Sequence, residues 1–392
     1  MRTAGTQAIG IRAPIVYEGD NLAEIVVNSV LEYSRESGVP LRERDIIGVT
    51  EAVVARAQGN YATTAHIAAD VKKKFPEGAV GVVFPILSRN RFAVVLKGIA
   101  AGVEKLYIQL SYPMDEVGNH LISSEQLFNS GVNPYTDVFG ESDFRERFVD
   151  VKHEFTAIDY LELYRTIGNS AEIILANDPC EILKYTKKVV AADIHTRGQT
   201  KRRLLSCGAE KVFGLDEILN ASVDGSGYNE KYGVLGSNKA GEGRVKLFPR
   251  LCEEFITNVQ KLVFEKAGVN VEVLVYGDGA FKDPVGKIWE LADPVVSPAF
   301  TSGLAGLPNE LKLKYLADNE FSAYRGDEAR KALIERIRAK DKNLLGKDET
   351  EGTTPRRLSD LIGSLCDLVS GSGDKGTPII LIKGYFDNYA SE

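Results

Sequence analysis

Asp278 is the residue in this chain best placed to do chemistry. It follows an apolar run, Val271 to Tyr276, and stands between Gly277 and Gly279 in the segment YGDGAFKDP. Loops just past buried strands are where α/β proteins put functional side chains. Asp278 and Asp283 together could share a divalent cation, because carboxylate oxygens suit Mg²⁺ or Mn²⁺. A solvated Asp-Gly turn accounts for the same letters, so spacing alone leaves both readings open.

Two further segments have the makings of anion sites. In GVTEAVVARAQG, Gly48 to Gly59, a strand ends at Thr50 and a helix starts near Glu51. Free amides and the positive end of a helix dipole can hold a phosphate there, and a plain N-cap at Thr50 explains the pattern too. In SGSGDKGTP, Ser370 to Pro378, small residues let backbone amides approach an oxyanion and Lys375 adds charge. That loop lacks the GK[ST] ending of a phosphate loop, and it also fits an ordinary helix-to-strand turn. Asp193-Ile194-His195, Arg197 and Lys201-Arg202-Arg203 join a strand end to a basic helix start. They suit either an anionic ligand or a solvated face. The histidines, His66, His120, His153 and His195, have no zinc-type spacing.

Alternating strands and helices must carry these groups. Short buried strands are expected at 45–50, 79–84 and 106–110, with a helix over 91–101 between the last two. A βαβ pattern follows: strands at 172–176 and 189–194, a short helix from Pro179, another helix at 200–207 and a third short strand at 211–213. Residues 220–245 predict a glycine-rich loop or hairpin. A well-patterned helix runs 249–266, two more cover 308–339, a charged linker fills 340–354, and a helix at 355–370 precedes a terminal strand. These elements imply a mixed α/β fold: a core built from 1–119 and 232–392, with an inserted α/β region at 120–231.

The chain has 392 residues, 44% hydrophobic and 26% charged, with a net charge of -7. That acidic balance argues against a nucleic-acid coat or an anionic membrane surface, both of which need clustered cations. Met1 to Pro14 lacks the apolar stretch of a signal peptide, and no apolar run spans a bilayer. The four cysteines, Cys180, Cys207, Cys252 and Cys366, have no CxxC spacing. They are expected to be free thiols in a reducing, cytoplasmic setting.

Five motifs in order resemble those of the gamma-glutamyl ligases of coenzyme F(420) biosynthesis. The first is Pro14 through Ile25, PIVYEGDNLAEI. The second is Asp45 through Gly59, with Arg56 and Gln58 where the family has lysine and glutamate. The third is Gly233 to Asn238 followed by Leu247-Phe248-Pro249, and the fourth is the Asp278 turn. The last runs from Ser370 to Pro378 and on to Lys383-Gly384. The match covers about 11–60, 232–300 and 355–385.

The resemblance implies an NTP-dependent ligase, with GTP or ATP as co-substrate and Mg²⁺ or Mn²⁺ assisting. It would join a small-molecule carboxylate to an amino acid such as L-glutamate through an acyl phosphate. It also implies a homodimer. By position, Ile11, Pro14, Thr50, Glu51, Asn238, Ser370, Gly371, Gly373, Lys375, Gly376 and Thr377 would line the nucleotide. Arg56 and Asp278 would be catalytic, and Asp278 a metal ligand. Three other metal positions of the family fall on Leu235, Gly279 and Ser372. Asp283 and Asp374, ahead of Asp224, Glu230 and Glu242, are the carboxylates that would replace them. The alternative is a nucleotide- or phosphate-binding sensor or scaffold of the same fold that no longer ligates.

Overall fold

The computed structural model describes residues 5–153, 156–169, 171–277, 281–282, 289–290, 297–350, 357–371 and 373–391. Two sheets organise them. The first is mixed and five-stranded, in the order Gln7–Ile11, Ile379–Lys383, Ile46–Thr50, Glu272–Tyr276, Ala299–Phe300. Only the pair Ile46–Thr50 and Glu272–Tyr276 is parallel. Both faces are covered, and the alternation of side chains along each strand shows how. Ile47, Val49, Val273, Val275, Ile379 and Leu381 point to one face, under the helices Leu22–Ser37 and Cys252–Ala267. Ile46, Leu274, Tyr276, Ile380 and Ile382 point to the other, under the helix Leu358–Val369. Each such apolar side chain, fully buried, contributes roughly 1.5–3 kcal/mol.

The helix Leu22–Ser37 illustrates how local sequence sets these elements. The Asn21 side chain accepts from the Glu24 amide at its start, and Gly38 ends it at φ 68°. Its buried stripe, Leu22, Ala23, Val26, Val27 and Val30, recurs at helical spacing.

The second sheet is six-stranded, in the order Phe139–Gly140, Glu172–Leu175, Lys105–Leu110, Ala79–Val83, Lys188–Ala191, Lys211–Gly214. All its pairings are parallel except that of Phe139–Gly140. Helices Thr64–Lys74, Phe92–Ala101 and Tyr160–Ile167 contribute to the core over one face. The turn Pro179–Lys184 and the helix Arg197–Ser206 cover the other through Ile182, Leu183 and Leu204.

This sheet begins at Ala79 and gathers strands from both sides of residue 120. The boundary at 120 therefore falls inside one sheet. The expected mixed α/β class is what the structure shows. Among the described residues, no helix is long and apolar enough to cross a membrane.

A small sheet links the two. The hairpin Asn238–Gly241 and Arg244–Lys246 pairs with Tyr61–Thr63. The glycine-rich stretch before it, from Ile218 to Leu235, packs into the core of the parallel sheet through Val223, Tyr232, Val234 and Leu235.

One expectation about the cysteines fails. Cys180 and Cys207 form a disulfide, with Cα atoms 6.1 Å apart. The fold brings the start of the Pro179–Lys184 turn against the end of the helix Arg197–Ser206, a proximity that a sequence separation of 27 does not reveal. Cys252 and Cys366 are free and buried, as expected.

Candidate functional site

The register of the mixed sheet decides where the expected site residues meet. Ile11 pairs with Ile379, Ile379 with Val49, and Val49 with Val275. The outgoing ends of Gln7–Ile11, Ile46–Thr50 and Glu272–Tyr276 and the incoming end of Ile379–Lys383 therefore share one edge. Four segments far apart in sequence converge there: Ile11 to Pro14, Thr50-Glu51, the approach to Asp278, and the glycine loop before Ile379.

Backbone bonds fasten these segments together. Ala13 N donates to Gly376 O at 3.2 Å, and Thr50 N to Pro378 O at 3.1 Å. Gly371 N donates to Thr377 Oγ1 at 2.8 Å, closing the loop on itself. Two glycines are required by this geometry. Gly376 has φ 65°, a left-handed conformation costly for other residues. A Cβ at Gly371 would sit 2.3 Å from the Lys375 Cβ. Lys375 and Asp374 are exposed at the tip. A hollow of about 720 Å³ lies between this loop, Gly10 to Arg12, and the helix Leu22–Ser37; Ile11, Lys375 and Thr377 line it with Arg12, Tyr33 and Glu32.

Thr50 caps the next helix, its Oγ1 accepting from Ala52 N at 3.4 Å. The plain capping role and the sheet-edge position are thus both real. Glu51 is 1% exposed, and both its oxygens meet Lys246 Nζ, at 2.5 and 2.7 Å. Lys246 lies directly across the hairpin from Asn238. The ion pair consequently docks the hairpin bearing Asn238 onto the helix that starts at the sheet edge. Nothing in the sequence singled out Lys246, which comes 195 positions after its partner.

Other expected residues fall elsewhere. Arg56 sits at the far end of the short helix Glu51–Ala57, its Nε donating to Val16 O at 2.5 Å. It holds the 12–20 loop and does not reach the glycine loop's bonding network. Pro14 is exposed in that loop, and Ser370 ends the helix Leu358–Val369. Gly373 turns at φ 88°. Asp278, Asp283, Gly279 and Ser372 lie outside the described residues.

The donors for a divalent cation do not assemble among the described residues. Leu235 is buried in apolar surroundings with Val234 and Leu215. The oxygens of Glu51 are held by an ammonium, and Asp374 is exposed on the surface. No group of three or more His, Cys, Asp or Glu among the described residues is disposed to hold a metal.

A family model, F420-0:Gamma-glutamyl ligase, matches residues 10–384. The chain belongs to this family of gamma-glutamyl ligases. The matched span is continuous through the parallel sheet, a region that the motif comparison placed outside the family pattern. No curated protein matches the chain.

Proposed function

We propose that this gamma-glutamyl ligase family member is an NTP-dependent ligase, with GTP as the first nucleotide to test and ATP the second. A carboxylate oxygen of the substrate attacks the terminal phosphorus, and the nucleoside diphosphate leaves. The amino group of an amino acid such as L-glutamate then attacks the acyl carbon. Phosphate departs, a proton is lost to solvent and an amide remains.

The observation supporting this reading is the convergence at one sheet edge of Ile11, Thr50 and the loop from Gly371 to Thr377. There the exposed cations Arg12 and Lys375, together with Glu32 and Glu36, line a hollow large enough for a nucleotide. Since the described residues supply no metal donor set, no step is assigned to Mg²⁺ or Mn²⁺, which remain additives in the test. A homodimer belongs to the same proposal. Ile15 and Tyr17, 70% and 59% exposed on the loop beside the edge, give it an apolar surface, and sedimentation checks it.

The second reading, a phosphate-binding protein that no longer ligates, draws on Leu235. A residue packed into the core cannot be exchanged for a ligand without cost.

Thermal stability with GTP or ATP, with and without Mg²⁺ or Mn²⁺, separates the outcomes. A nucleotide at ~100 times its dissociation constant adds roughly 2.7 kcal/mol. A shift together with glutamate-dependent release of phosphate supports ligation. A shift without turnover on any carboxylate supports the second reading, and no shift with either nucleotide overturns both.

A further inference from the structure

The parallel sheet carries a second crevice that the ligase reading does not use. Its chain starts in the middle, at Ala79–Val83, moves outward to Lys105–Leu110 and Glu172–Leu175, then crosses back to Lys188–Ala191 on the opposite side. The order therefore reverses between Ala79–Val83 and Lys188–Ala191. In open doubly wound sheets, ligands bind outside the carboxyl ends of the strands at such a reversal. A cleft of about 720 Å³ lies there, between the helix Arg197–Ser206, the Asn177–Pro179 connection and Phe84.

The chemistry of its walls is specific. Of the basic residues on this helix, Arg197 is bonded to Asp216 at 2.7 Å and Lys201 to Glu217, both turned away from the cleft wall. Arg202 and Arg203 line the cleft. Both are exposed; Arg203 bonds Asp178, another residue of the wall, at 3.0 Å. Thr196 and Thr200 also line it, and each donates its hydroxyl proton to Asp193 Oδ2, at 2.7 and 2.8 Å. Thr200 is buried, whereas Thr196 is exposed and, with its proton committed, its hydroxyl is left as an acceptor.

Asp193 is 0% exposed, and its Oδ1 has no hydrogen-bond partner among the described residues. The amides of His195 and Thr196 are taken by Glu116, so the helix start is already capped and the arginines supply the anion site. Phe84 adopts φ 56°, a strained conformation for a bulky residue, directly after the central strand. Tyr135, 87% exposed, adds a second aromatic wall. The Cys180–Cys207 disulfide ties the two sides of the cleft together.

We propose that this cleft binds a nucleoside monophosphate: the phosphate on Arg202 and Arg203, a ribose hydroxyl on Thr196, and the base against Phe84 and Tyr135. Phosphate, a hydroxyl donor and a planar ring are what arginines, a proton-committed threonine and aromatic walls accept together. The site is independent of the ligase proposal and lies on a different sheet.

Calorimetry with AMP, GMP, ribose 5-phosphate and inorganic phosphate tests it on the full chain. The proposal expects saturable binding of at least one nucleotide at one site. Arg202→Gln should weaken it by about tenfold or more, and Gly371→Ala, which alters only the other sheet's loop, should leave it unchanged. Ribose 5-phosphate should bind more weakly than the nucleotide, and Tyr135→Ala should abolish that difference. Absence of nucleotide binding overturns the proposal. So does binding that survives Arg202→Gln, or binding lost in Gly371→Ala, which would place the nucleotide at the ligase edge. A dichroism spectrum matching wild type excludes misfolding of each of the three variants.

Discussion

Replacing Lys246 with methionine should be among the most damaging single changes at the ligase edge, and its size follows from burial. Methionine keeps the apolar stem, so packing changes little. What is lost is the cation held 2.5 and 2.7 Å from a carboxylate that is 1% exposed. Removing one partner of a buried pair costs about 3–5 kcal/mol, because the remaining charge keeps its desolvation penalty. Glu51→Gln should cost less, since Lys246, 12% exposed, retains a route to water. The double variant should resemble Glu51→Gln alone, so the coupling should match the cost of Lys246→Met, about 3–5 kcal/mol. A control lies in the parallel sheet. Lys105 and Glu172 are also 2.5 Å apart, yet each side chain is 52% exposed. Lys105→Met should leave the midpoint in place, because water screens that pair. Urea denaturation followed by circular dichroism measures all four variants. The reasoning is refuted if Lys246→Met shifts the midpoint no more than Lys105→Met, or if the two changes at the buried pair simply add. Nucleotide binding should weaken in parallel, since the pair docks the Asn238 hairpin.

Gly371→Ala forces a Cβ to 2.3 Å from the Lys375 Cβ. It should cost about 1–3 kcal/mol and remove the thermal shift given by GTP or ATP, read by differential scanning fluorimetry. Leu235→Asp, which places the family's acid at its aligned position, should destabilise by more than about 4 kcal/mol and confer no Mg²⁺- or Mn²⁺-dependent stabilisation. A metal-dependent gain in its melting temperature would contradict the core placement. Burial pushes the Asp159 carboxyl up, but hydrogen bonds from Arg145 and the Glu162 amide, with the arginine's charge, outweigh it and hold the group below the ordinary carboxylate range. A lowered folded pKa contributes stability that is complete above the unfolded value, about 3.9, and is lost as pH falls through the folded one. Asp159→Asn should therefore be less stable than wild type near neutrality, with the gap closing below about pH 4 in melts across that range.

Local patterning made most elements legible. The strands at 46–50, 79–83, 105–110, 172–175 and 188–191 coincide with short apolar runs, and helix ends fall at Gly38 and Gly268. The shared edge of Ile11, Thr50 and the glycine loop followed from family motifs rather than from spacing, which left each segment open between anion site and plain turn. The pairings of strand with strand escaped notice. Parallel neighbours look alike in sequence, so nothing marks Ala79–Val83 as the partner of Lys188–Ala191. Lys246, within RVKLFP, has no periodic signal that separates it from a solvated lysine. The Cys180–Cys207 bridge depends on two elements meeting across a crossover, which cysteine spacing does not record.

Leu235 connects the two halves of the molecule. It lies in the stretch running from the last strand of the parallel sheet to the hairpin, and its side chain is buried in that sheet's core. Seven residues after Gly236, the same stretch has emerged at the hairpin turn, Gly243, and three residues later Lys246 grips Glu51 at the edge of the mixed sheet. A carboxylate at 235 would have to leave the core to meet a metal at that edge, dragging Val234 with it. The leucine instead fixes the stretch as a rigid tie between the two sheets. The position that supplies a ligand in the family's pattern here supplies packing.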